Sequence, residues 1–223
     1  MTPDPQSTVV ALGWSDRWEP YLAAHDTGLP GRGIRHDGSA VLVGTEQGNS
    51  HVRIRPSMPR LAVGDWIIVT DDQIVELLPR ASLLQRRDPS SGGSQPIAAN
   101  VDVVGIVCGL DRPVTPGRIQ RFTSLAWDAV ATPPVILSKA DLVVSTDDIE
   151  NDLLEQDPAA EIISVSSTMT DGISELLERC ANRTLVLVGE SGAGKSTLLN
   201  ALADGRLNES RMRAWGQLRR EAA

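Results

Sequence analysis

The eight residues Gly189-Glu190-Ser191-Gly192-Ala193-Gly194-Lys195-Ser196 match the spacing G-x-x-x-x-G-K-[ST] in full. Each residue type in that pattern has a chemical use. The glycines let the backbone curl so that successive N–H groups face one concavity, which suits phosphate oxygens. The Lys195 ammonium would reach the outer phosphates, and Ser196, followed by Thr197, would offer a hydroxyl oxygen to Mg²⁺. Before the motif, TLVLV (184–188) reads as a strand; after it, STLLNAL (196–202) reads as a helix whose positive end adds to anion binding. The motif specifies a nucleotide polyphosphate and leaves the base open.

Two further loops bear on the base. Ser138-Lys139-Ala140-Asp141 follows the apolar run PPVIL (133–137). It resembles the guanine-reading motif N/T-K-x-D, in which the carboxylate accepts from guanine N1–H and the exocyclic amine while the Lys stem lies along the base plane. Adenine lacks that donor pair and would leave the carboxylate unpaired; sites built on such pairing discriminate by about 10⁴–10⁵. Ser166-Ser167-Thr168 follows EIISV (161–165) and resembles the S-A-K/T loop, where a backbone N–H meets the guanine oxygen. Singly, either loop also reads as an ordinary helix cap. Together, three loops after three apolar strands, where ligands gather on an open α/β sheet, point to GTP or GDP with Mg²⁺. Their order is base-reading loops first and phosphate loop last, so the domain is circularly permuted. Such rearrangement is tolerated where native termini lie close together at the surface.

The elements that must hold these loops fall into two halves. In the first, GRGIRHDG, SAVLVGTEQGN, SHVRIRP, GDWIIVTDD and QIVELLP predict five short strands, a spacing that fits a small closed barrel of OB-fold type. WSDRWEPYLAAH ahead of them predicts a short amphipathic helix. After the Gly/Ser-rich stretch DPSSGGSQP (88–96), strand and helix alternate: VDVVGIV, a helix over 117–129, PPVILSK, a helix over 146–155, EIISV, a helix over 171–181, TLVLV and a helix over 194–203. Continuous apolar strands flanked by helices predict a parallel sheet covered on both faces. The fold class is therefore α+β in two domains: residues 1–87 an OB-fold barrel with its N-terminal helix, 88–96 a linker, and 97–223 a permuted P-loop α/β domain.

Composition narrows the function classes. The chain of 223 residues carries a formal charge of −8 and contains no apolar run long enough for a membrane span, and MTPDPQST has no signal-peptide pattern, so a cytoplasmic location is expected. Cys108 and Cys180 are too few for a disulfide framework or a Cys-based zinc site. An acidic chain binds nucleic acid poorly except through local Arg clusters. Arg32, Arg35, Arg53, Arg55, Arg60, Arg80, Arg86 and Arg87 are the available ones; they also read as ordinary surface residues, and Trp66 reads as core rather than as a stacking platform. Of 21 basic residues only Lys139 and Lys195 are lysines, and both stand in nucleotide motifs, where a compact ammonium on a flexible stem is not replaceable by an Arg fork.

VGDWIIV (63–69), ELLPRASLLQRRDP (76–89), AANVDVVGIV (98–107), ILSKADL (136–142) and VGESGAGKSTLLNAL (188–202), in this order, resemble the ribosome small-subunit-dependent GTPases, the RsgA/YjeQ family. The resemblance runs from about Gly31 to Leu202. It implies an OB-fold, a permuted GTPase domain, GTP hydrolysis stimulated by the small ribosomal subunit, a role in late maturation of that subunit with its rRNA as partner, and a zinc-bearing tail. Three departures stand out. Ser138 takes the place usually held by Asn or Thr, and its shorter side chain is expected to tether the loops less well. Ser167 replaces the usual Ala. The 21 residues after Leu202 contain neither a switch-I Thr nor a D-x-x-G loop nor the zinc-binding Cys/His cluster, for which His25, His36 and His51 in the barrel half are no substitute.

The expectations that follow are an incomplete sheet, Ser196 as the only obvious protein ligand of Mg²⁺, weak hydrolysis, and an exposed apolar edge at 184–188 through which an otherwise monomeric chain could self-associate. Two other readings compete. One is a guanine-nucleotide-dependent ribosome-binding module without hydrolysis. The other is a P-loop ATPase fragment, against which the lack of an LSGGQ-like signature counts.

Overall fold

The structure is a computed structural model that describes residues 9–87, 93–166 and 172–204. It divides into two compact units with the break after Asn100.

The five predicted strands of the first unit are present: β1 (Leu29–Asp37), β2 (Ala40–Thr45), β3 (Gly48–Arg53), β4 (Trp66–Thr70) and β5 (Gln73–Leu77). They close into a barrel in the order β1-β2-β3-β5-β4. Closure removes free sheet edges. Val41, Val43, Val52, Leu61, Ile67, Val69 and Ile74 fill one buried cluster. The run WIIVT in β4 breaks the usual alternation because both its faces are covered. Ile67 and Val69 belong to that cluster, while Trp66 and Ile68 pack with Leu12, Trp18 and Leu78 in a second one. Trp14, Trp18 and Trp66 meet there with ring centroids 5.0–5.6 Å apart. The expected amphipathic helix is shorter than predicted, a 3-10 turn (Asp16–Trp18) running into α1 (Glu19–Leu22), because Pro20 suits only a first helical turn.

A polar latch ties the strand β4 to the chain leaving the barrel. Asp65 is 1% exposed; its carboxylate accepts from the Ala62 N–H and from both Nε and NH2 of Arg80, each at 2.7 Å. Three charge-assisted bonds offset the desolvation of that buried anion. Arg32 is partly buried and likewise engaged. Its guanidinium donates to the carbonyls of Leu12, Gly64 and Asn100 and lies over the Trp66 ring. These two arginines, candidates for an RNA-facing surface by sequence, are structural.

The stretch assigned to a linker needs correction. Leu83–Arg87 (β6) and Ser94–Ala99 (β7) pair as an antiparallel hairpin, so residues 94–96 are strand. Pro96 within β7 hid it: a proline argues against a strand unless it sits at an edge or bulge, and Pro96 lies next to the register irregularity of this two-stranded sheet.

The second unit is a four-stranded sheet in the order β10-β9-β8-β11, with β8 Val103–Gly109, β9 Val135–Ser138, β10 Ile162–Val165 and β11 Leu185–Gly189. All its pairings are parallel. Helices α2 (Pro116–Asp128), α3 (Asp147–Gln156), α4 (Ile173–Arg179) and α5 (Lys195–Asp204) alternate with the strands. One buried cluster joins Val107, Ile136 and Ile163 to Leu176 and Leu198 of α4 and α5; another joins Ile106, Val135 and Leu137 to Ile119 and Leu153 of α2 and α3. Both faces of β8 and β9 are thereby covered, which is why their sequences are apolar without alternation. Among the described residues β11 pairs on one side only, with β8, and all five of its residues are partly exposed.

Helix α2 ends in a Schellman arrangement, with Val130 N–H bonded to Trp127 O at 2.8 Å and Ala131 N–H to Ala126 O at 2.9 Å. The left-handed position belongs to Val130, with φ 56° and 82% exposure. A β-branched residue there is strained by about 1–2 kcal/mol relative to glycine. Val130→Gly is therefore expected to raise the unfolding free energy of this unit by about 1 kcal/mol. Chemical denaturation of the two proteins checks this, and an unchanged or lowered midpoint would contradict it.

Candidate nucleotide-binding site

Parallel register sets the site. Val165 of β10 stands opposite Ser138 of β9, Ser138 opposite Gly109 of β8, and Val107 opposite Gly189 of β11. The loops that begin with Ser166, Lys139, Leu110 and Glu190 therefore leave the sheet side by side at its carboxyl end, where open α/β sheets take ligands.

The phosphate loop has the backbone its glycines were expected to provide. Gly189, Gly192 and Gly194 have φ of 142°, 79° and 86°. A Cβ on Gly189 would stand 2.3 Å from Val107 O, so glycine is required there by close approach as well as by torsion. Ala193 is buried, whereas Ser191, Ser196 and Thr197 are exposed. Lys195, at the start of α5, turns its ammonium back into the loop and donates to the carbonyls of Gly189, at 3.0 Å, and Glu190. Glu190 also pairs with Arg118 of α2 at 2.5 Å.

The base-reading loop is tied directly to the phosphate loop. Ser138 is 4% exposed, and its hydroxyl donates to Ala193 O at 2.6 Å, with Cys108 O 3.3 Å away. The side chain expected to tether the loops less well than Asn or Thr does span them. The loops approach closely enough for one short side chain to span them. Lys139 follows in a left-handed conformation, φ 61°, before a 3-10 turn over Ala140–Leu142. Asp141 is exposed, and its Oδ1 accepts from the Ser166 hydroxyl at 2.7 Å. Asp141 and the first residue of the third loop are thus joined, which orients the Asp141 carboxylate. Ser167 and Thr168 of the same loop lie outside the described residues.

Sequence reasoning missed the contribution of the loop after β8. Asp111 receives Lys139 Nζ at 2.8 Å and Arg112 NH2 at 2.9 Å. The bonds from Arg112 first, and Lys139 second, hold its carboxyl well below the usual carboxylate range. Its position directly beyond an apolar strand, as with the other three loops, was the available signal. Cys108, near the end of β8, lines a cleft with Arg112, Arg118 and Glu190, and burial pushes its thiol up to about 11, so it stays protonated and a poor nucleophile at neutral pH.

Comparisons with known proteins agree with this geometry. A family model described as RsgA GTPase matches residues 77–215. The chain belongs to the RsgA GTPase family. Small ribosomal subunit biogenesis GTPase RsgA 2 of Vibrio parahaemolyticus is 38% identical over 196 residues, which is 86% of this chain and 55% of that protein. Small ribosomal subunit biogenesis GTPase RsgA of Xanthomonas euvesicatoria is 37% identical over 221 residues, covering 90% of this chain and 61% of that one. The chain thus spans about three-fifths of the length of the curated relatives it matches. Among solved structures, YjeQ from Thermotoga maritima superposes with a TM-score of 0.62 at 26% identity over 82% of this chain and 68% of that one. The fold is also that of YloQ, a circularly permuted GTPase, with a TM-score of 0.59 at 23% identity, covering 82% of this chain and 67% of that one. The barrel followed by a permuted P-loop sheet is therefore shared with RsgA relatives.

Ser138 gives a direct test of the tether. Ser138→Ala would leave the buried Ala193 carbonyl without its donor, at a cost of about 1–3 kcal/mol. Denaturant unfolding of the variant is expected to show a loss in that range, and a stability equal to wild type would mean the bond is not what joins the loops.

Proposed function

We propose that this chain binds GTP and GDP through the loops after β9, β10 and β11, and serves as the barrel and nucleotide-binding portion of a GTPase of small-subunit maturation. The observation that carries the reading is the bond from Ser138 to Ala193. It fixes the Lys139–Asp141 segment at one distance from a loop built for phosphates. A nucleotide bridging the two would place phosphates against the N–H groups of Gly192–Lys195 and its base against Asp141. The Ser166 contact holds that carboxylate in place to accept guanine's two donors.

Mg²⁺ fits the residues present. Ser196, exposed in the first turn of α5, offers a neutral hydroxyl oxygen beside the phosphate loop. Among the described residues no three His, Cys, Asp or Glu side chains converge. The ion would therefore share Ser196 with phosphate oxygens and water, as Mg²⁺ commonly does. When bound, it would neutralise charge on the outer phosphates. Lys195 would exchange its two carbonyl partners for phosphate oxygens.

Partner and turnover are inferred from kinship and sequence. Relatives named as small ribosomal subunit biogenesis GTPases support the small subunit and its rRNA as partner. Of the arginines considered for RNA, Arg53 and Arg55 on the barrel are not engaged as Arg32 and Arg80 are; Arg55 donates to Gln73. For these 223 residues alone we infer binding with slow hydrolysis, because the sequence after Leu202 has no D-x-x-G loop to meet the γ-phosphate.

Calorimetric titration with GDP, GTP and ATP in Mg²⁺ tests the binding claim. Guanine nucleotides should bind at least about a hundredfold tighter than ATP, and Lys195→Ala should remove that binding. Equal affinity for ATP and GTP would favour the P-loop ATPase reading.

A further inference from the structure

The Asp111 carboxylate lies between two cations at the mouth of the site. Oδ2 meets Lys139 Nζ at 2.8 Å and Arg112 NH2 at 2.9 Å, and Oδ1 accepts from Arg112 Nε at 3.3 Å. Lys139 is no free surface lysine: its Cε lies 3.7 Å from where a Cβ on Gly109 would stand, and 3.9 Å from that on Gly194. Its stem therefore runs over two positions that carry no side chain, beside the phosphate loop. On the other side, Arg112 NH2 comes within 3.4 Å of where a Cβ on Gly192 would stand. One anion thus holds a cation on the base side of the site and another beside the phosphate loop.

A lysine side chain has about 2 kcal/mol of rotamer entropy to lose when it is fixed. If its ammonium is already held, ordering it on ligand binding costs less, and affinity rises without a new contact to the ligand. We propose that Asp111 is a positioning residue for the guanine nucleotide, holding the Lys139 stem in place as the apolar floor on which the purine lies. Neither the phosphate-loop motif nor the base-reading motif contains Asp111; the loop after β8 is a fourth wall of the site. The inference rests on the guanine-nucleotide reading above.

The test is a double-mutant cycle on GDP affinity, with thermal melting to establish that each variant is folded. Asp111 lies at the surface and belongs to neither buried cluster of this unit, so the variants should melt close to wild type. Asp111→Ala should weaken GDP by about tenfold, the range of one charge-assisted bond. Lys139→Ala should weaken it at least as much, and the double variant should bind within about twofold of Lys139→Ala, because Asp111 acts through Lys139. Asp111→Asn, which keeps an acceptor of the same shape, should recover part of the loss. Asp111→Ala binding GDP like wild type, or losses that add in the double variant, would overturn the inference alone. A folded wild-type chain that binds no guanine nucleotide would overturn the reading it rests on, and this inference with it.

Discussion

One hydrogen bond, from the Ser138 hydroxyl to Ala193 O, sets the distance on which the proposed nucleotide site depends. A phosphate loop alone binds phosphate, and an Asp on a neighbouring loop alone binds nothing selectively. Discrimination between bases requires that both ends of one ligand be satisfied together. The sheet supplies a coarse alignment through parallel register, and the buried hydroxyl fixes the remainder. Its neighbourhood is tight at Gly109, where a Cβ would stand 2.7 Å from Asp111 Oδ1 and 3.3 Å from Ala193 Cα, while Gly194 is required by its φ of 86°.

Chain order is irrelevant to this arrangement. The strand that leads into the glycine-rich loop, β11, is last in sequence yet pairs with β8, the first strand of the alternating strand–helix series. What matters is that the strands end toward the same edge with their loops adjacent, β8, β9 and β10 level and β11 two residues earlier, opposite Val107. The barrel achieves its own integrity separately, through closure and through the buried Asp65–Arg80 pair. That separation is consistent with a break between compact units after Asn100.

Much of this was legible in the sequence. The five barrel strands and the β8–β11 sheet were readable because apolar runs and turn residues alternate cleanly there, and the phosphate loop because its residue spacing reflects a backbone requirement. The hairpin of β6 and β7 was not, since Pro96 and the Gly/Ser tract imitate linker composition. The internal roles of Arg32 and Arg80 were hidden for another reason: composition does not reveal whether an arginine meets solvent or a buried carbonyl. The reach of Ser138 was not legible because it depends on the distance between the loops that its side chain must span. Asp111 went unnoticed because its partner is twenty-eight residues away, in the loop of the adjacent strand.

The most direct measurement of the central claim is competition between GDP and xanthosine diphosphate for wild type and Asp141→Asn. An Asn amide would donate where the Asp carboxylate accepts, which suits the carbonyl of xanthine rather than the amine of guanine. The account predicts that the variant loses at least about a hundredfold in preference for GDP and gains affinity for xanthosine diphosphate. The same GDP preference in both proteins would show that Asp141 does not read the base, and that the loops joined by Ser138 form a phosphate site only.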